Sequence, residues 1–130
     1  VQPPEVPLEE VIRVPEHLVE EHLTANQRRA RFVAKDVAEY TRSVPAGRAI
    51  RSSQLRQVLR AGEDGQIYTE TVSRVMNFLD DLGDDAVTIN ESRRGERVVV
   101  FTEGFVERAQ AYQHAHQTNH TVVTGNGVGG

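Results

Sequence analysis

The amino-acid sequence predicts an α+β domain, mostly helical, and three patterns carry that expectation. Apolar residues recur at spacings of three and four in 24–41, 53–62, 69–83 and 103–117, which puts them on one face of a helix each time. Val87-Thr88-Ile89-Asn90 alternates apolar and polar residues, as a half-buried strand does, and Arg97–Phe101 can return beside it. Glycine and proline punctuate the joins, at Pro45, Gly47, Gly62, Gly65, Gly83 and Gly95. At 130 residues the chain can bury one modest core and is too short for two.

Taken in order, residues 1–14 contain three of the five prolines and read as an extended or disordered arm, because proline removes an amide donor and restricts its predecessor. Pro15 suits the first turn of a short helix, PEHLVEEHL, with acids near its start. Thr24–Thr41 reads as the first main helix, burying Ala30, Val33, Val37 and Tyr40, and Pro45 and Gly47 end it. Arg48-Ala49-Ile50 is a short extended segment. Ser52 or Ser53 is the expected N-cap of the next helix, since a serine oxygen can take a free first-turn amide. That helix buries Leu55, Val58 and Leu59. After the turn at 63–65, Thr69 is the expected cap of a third helix with a Val72, Val75, Met76, Leu79, Leu82 stripe. Gly95 suits the positive φ of the hairpin that follows. One domain is expected over 15–117, closed by the helix 103–117, with 118–130 a glycine-rich flexible tail.

Composition removes several classes of function. The absence of cysteine excludes a disulfide scaffold and a cysteine-based zinc finger. No apolar run approaches membrane-spanning length and no leader pattern opens the sequence, so the expectation is a cytoplasmic protein with no membrane association. No glycine-rich phosphate loop, nucleophile motif or recognisable carboxylate pair is present, and no enzyme is expected. In HAHQTNH only His116 and His120 have a spacing that could share an ion, with no cysteine or carboxylate beside them, so no metal and no cofactor is expected, and no small-molecule ligand is evident.

The net charge of −4 hides a segregation. Residues 28–62 hold nine basic side chains against Asp36 and Glu39 alone, whereas 63–90 hold seven acids against Arg74. A local positive field is therefore possible on an acidic chain. Lys35 is the only lysine among 15 basic residues. Arginine in place of lysine, with abundant Asp and Glu, resembles proteins of salt-loving archaea (or their viruses and plasmids), although a GC-rich genome would give the same bias.

The order of elements in 48–101 now becomes informative. A short extended segment, two helices joined by a turn, and a hairpin tipped by Arg93, Arg94 and Arg97 resemble a winged helix-turn-helix of the small transcription-regulator type. TVSRVMNFLDDLG followed by the arginine-glycine tip carries most of the likeness, which covers about residues 24–102. The resemblance implies double-stranded DNA as partner, sequence-selective transcription regulation, and a nucleoid-associated location. It places the third helix in the major groove and the hairpin on the minor groove or backbone. On that helix Glu70, Ser73, Arg74, Asn77 and Asp81 point outward if Val72 is centred on the buried face. Arginine matches the paired acceptors of guanine and asparagine the acceptor and donor of adenine. Thr69, Thr71, Ser73, Arg74 and Asn77 are the candidate contacts there, and Arg93, Arg94 and Arg97 those of the hairpin. Arg48, Arg51, Arg56 and Arg60 are candidates for the phosphate backbone, together with Ser52 and Ser53 at a helix N-terminus. Each group also has an ordinary reading, as a solvated surface or as arginines paired with the acids of 63–85.

The same resemblance implies a homodimer through a terminal helix. Phe105, Ala109, Tyr112 and His116 on 103–117 are the candidate interface. Asp80 and Asp81, at the far end of the third helix, depart from the family pattern and oppose deep groove insertion. The block of net −6 over residues 63–90, around the third helix, supports a second reading, a winged helix that contacts other proteins in a transcription or chromosome-maintenance complex.

Overall fold

The computed structural model describes residues 4–63 and 65–115. Helices and a small sheet follow one another as α1 (Pro7–Ile12), a 3-10 turn (Glu16–Leu18), α2 (Val19–His22), α3 (Ala25–Lys35), α4 (Val37–Tyr40), β1 (Arg42–Val44), β2 (Gly47–Arg51), α5 (Ser52–Gly62) and α6 (Thr69–Gly83). A second 3-10 turn (Asp84–Ala86), β3 (Val87–Glu91) and β4 (Arg97–Phe101) follow, and α7 runs from 103 to the end of the described residues at 115. The fold class is therefore α+β, with helix predominating, as the sequence predicts.

All strand pairs are antiparallel and lie in the order β1-β2-β4-β3. The β3–β4 hairpin closes at Glu91↔Arg97, and Arg51 of β2 stands beside Val98. Partners in register project to one face, so Ile50, Val99, Phe101, Ile89 and Val87 form the inner side of the sheet. They meet α3, α5, α6 and α7 in one core that includes Leu55, Leu59, Met76, Leu79 and Phe105. Gly47 permits a close approach of β2 to the end of β4: with φ of 142°, a Cβ there would lie 2.1 Å from the Phe101 carbonyl oxygen.

Several expectations are corrected. The arm 1–14 is not extended throughout, because Pro7 sits at the first helical position, where its fixed φ and missing amide are harmless. Leu8, Val11 and Ile12 of α1 are buried. The helix 24–41 is interrupted at Asp36, whose φ and ψ of −118° and 39° leave the helical region; the freed Lys35 carbonyl accepts from Gln113 Nε2 at 3.1 Å. Thr24 opens α3 with a capping box, its hydroxyl taking the Gln27 amide and the Gln27 side chain taking the Thr24 amide. The segment after it holds an extra strand, β1, paired with β2 through a Pro45-Ala46 turn.

Phe105 and Ala109 are not an outward dimer stripe. Both are buried in the chain's own core, and the Phe105 ring stacks on Phe101 with centroids 5.7 Å apart. Tyr112 is half-buried under the Arg13 guanidinium, 5.1 Å from its ring centre. His116 and the tail 118–130 lie outside the described residues. The apolar side of α7 is taken by α1 and the sheet, with Glu9 of α1, 1 % exposed, receiving Arg108 Nε at 2.7 Å.

Candidate nucleic-acid interface

The two helices α5 and α6 are tied where they approach. Arg56 of α5 donates to the Thr69 hydroxyl at the start of α6. Thr69 therefore does not cap its own helix, and Tyr68 holds the N-cap position without a side-chain bond. Val72, Val75, Met76 and Leu79 face the core as expected, with Leu82 partly buried against it. The opposite side leaves Thr69, Glu70, Arg74, Asn77 and Asp81 exposed and Thr71 and Ser73 half-buried.

The hairpin lies against this helix. Arg97 Nη2 donates to Asn77 Oδ1 at 3.3 Å, which joins the turn end of the hairpin to the exposed side of α6. Arg93 and Arg94 occupy the exposed turn, where Gly95 has φ of 83°. The structure thus ties Asn77 of α6 to Arg97 of the hairpin, with Arg74 exposed on the same helix and Arg93 and Arg94 exposed in the turn.

The N-terminus of α5 is not an open phosphate site. Glu96 Oε2 accepts from the Ser53 amide at 2.9 Å and from the Ser52 hydroxyl at 3.3 Å. The expected serine cap is replaced by a carboxylate from the hairpin, 43 residues away in sequence from Ser53. These bonds from Ser53, then those from Ser52 and the charge of Arg51, outweigh desolvation and hold the Glu96 carboxyl below its ordinary range. A carboxylate with a lowered folded-state pKa stabilises above the unfolded value and loses that contribution as pH falls through the folded one. Glu96→Gln should therefore be less stable than wild type at neutral pH, with the gap closing as urea titrations are repeated toward pH 3. A gap independent of pH would show that shape, and not charge, holds this joint.

Arg48 is also spent internally. Its Nε donates to the Thr41 hydroxyl at 2.9 Å and its Nη2 to the Thr41 and Ala38 carbonyls, locking β2 to the end of α4. Arg51 is different. It is half-buried and its Nε has no hydrogen-bond partner. It lines a cleft of about 310 Å³ with Arg42, Ser92, Arg93, Arg94 and Glu96.

Two residues escaped the sequence reading. Arg42 reaches the cleft because β1 pairs Arg42 with Ala49 beside Arg51, and a three-residue polar strand leaves no periodic signal. Tyr68, 63 % exposed just before α6, had only the signal of a lone aromatic beside a helix start. Among the described residues no group of three or more His, Asp or Glu could hold a metal ion, and no helix is long and apolar enough to cross a membrane. Comparisons with protein-family models, with curated proteins and with solved structures found no match for the chain.

Proposed function

We propose that this chain is a winged helix-turn-helix protein that binds double-stranded DNA sequence-selectively and acts on transcription at the nucleoid. The observation that carries the reading is the joint surface of α6 and the β3–β4 hairpin, linked by Arg97 and Asn77. It presents Arg74 on a helix of major-groove dimensions and two arginines on a loop beside it. The element order from α3 through β4, with β2 pairing the return strand of the hairpin, supports the same reading.

Fluorescence anisotropy with duplexes selected from a random pool tests it. Arg93→Ala with Arg94→Ala should weaken all sequences alike and lower the slope of log affinity against log salt by roughly two. Arg74→Ala should cost about 1–3 kcal/mol on the selected sequence and relax its preference. Retention of no duplex, or indifference to all three substitutions, would sink the reading. The second reading, a protein-contacting module, draws on exposed Asp81, Asp84 and Asp85 at the far end of α6, and would gain from that outcome.

A further inference from the structure

The arginines of this protein divide into two sets. Arg29, Arg31, Arg48, Arg56, Arg97 and Arg108 donate to carboxylates, hydroxyls, an amide oxygen or carbonyls, Arg28 donates to the Leu23 carbonyl, and Arg13 pairs with Glu9. Arg42, Arg51, Arg60, Arg74, Arg93 and Arg94 have no hydrogen bond or ion pair within 4.0 Å among the described residues. Four of those six line one cleft, at the end of the sheet where β1, β2 and the hairpin tip meet. Unpaired guanidinium groups repel one another, so a convergence of four without an intervening acid pair is unfavourable unless an anion enters.

Only Glu96 opposes them, and its carboxylate is already engaged by Ser52 and Ser53. The cleft keeps a formal surplus of three positive charges. Its volume of about 310 Å³ admits a compact tetrahedral anion with part of its substituent. Guanidinium forks match tetrahedral oxyanions with paired N–H donors. The Ser92 hydroxyl accepts from the Glu96 amide at 3.1 Å, which holds the floor of the loop in shape.

We propose that this cleft is a binding site for a phosphate monoester dianion, held by Arg42, Arg51, Arg93 and Arg94. A dianion offsets more of the surplus charge than the single charge of a backbone diester. The site goes beyond the duplex reading. It shares the hairpin tip with that surface, so a phosphorylated small molecule bound here would compete with duplex for Arg93 and Arg94.

Calorimetric titration of the full chain at low ionic strength tests the site, with inorganic phosphate and adenosine monophosphate as probes. Wild type should bind both saturably with one site. Arg42→Gln with Arg51→Gln should weaken both by about tenfold or more, and Arg60→Gln, an unpaired arginine elsewhere, should leave them unchanged. Arg93→Gln with Arg94→Gln, at exposed positions, gives the same reading if the sheet pair fails to fold. No saturable binding, or equal weakening in Arg60→Gln, overturns the proposal. The second arm uses a duplex without terminal phosphates. If Arg42→Gln with Arg51→Gln weakens that duplex as much as it weakens adenosine monophosphate, the backbone is the ligand and the monoester assignment falls. Monoester binding without any duplex binding upholds the cleft and sinks the DNA reading. Duplex binding without monoester binding does the reverse.

Discussion

Arg108→Ala is expected to destabilise the fold by about 3–5 kcal/mol, because it strands a buried carboxylate. Glu9 is 1 % exposed, and Arg108 Nε at 2.7 Å is its close cation. The remaining positive group, Arg13 Nη2, is 3.9 Å from the other oxygen. Arg108 also reaches Glu5 at 2.7 Å, but Glu5 is largely exposed and can return to water without penalty. Removing both charges tells the two contributions apart. Glu9→Leu combined with Arg108→Met should recover most of the loss, since an apolar pair of similar volume needs no compensating charge. Urea denaturation followed by circular dichroism measures both variants against wild type. Equal losses in the single and double variants would show that side-chain packing, and not the uncompensated charge, decides the outcome.

Phe105→Ala should cost a similar amount, about 3–5 kcal/mol, for a different reason. The ring is fully buried and lies 22° from parallel with Phe101, so truncation removes both its burial and an aromatic pair. Glu107→Ala, exposed on the same helix, should stay within about 0.5 kcal/mol. A loss below about 1 kcal/mol for Phe105→Ala, by the same urea titration, would mean the site collapses around the missing ring or that the ring faces a partner instead.

That residue also shows where sequence reasoning stops. The Phe105, Ala109 stripe was legible as one helical face, yet periodicity does not say whether a face meets the same chain or another. The answer came from α1, whose start at Pro7 hides inside a proline-rich segment that reads as extended. The α6 stripe and the β3–β4 hairpin were legible because a period of 3.6 or 2 leaves a local record. β1 was not, since three residues with one apolar member fold as a strand only through pairing with β2. Within the candidate site, the exposure of Arg74, Asn77, Arg93 and Arg94 followed from the pattern. The withdrawal of Arg48 into the Thr41 and Ala38 oxygens did not, because a helix end decides it. The same holds for the α5 cap, where Ser52 and Ser53 serve a glutamate more than forty residues away. Arg42 entered the cleft for the reason that made β1 invisible.

The Glu96 joint has a consequence for how the hairpin meets anything at all. A free two-stranded hairpin is marginal in water and samples many orientations about its base. Here the return of the loop is pinned to the first turn of α5 and the turn end of the hairpin is braced by Arg97 against α6. The orientation of the tip is consequently set during folding, and the entropy of fixing it is lost before any encounter. A ligand arriving at Arg93 and Arg94 immobilises side chains on a prearranged support, so its affinity reflects the contacts it makes with little deduction for ordering the backbone.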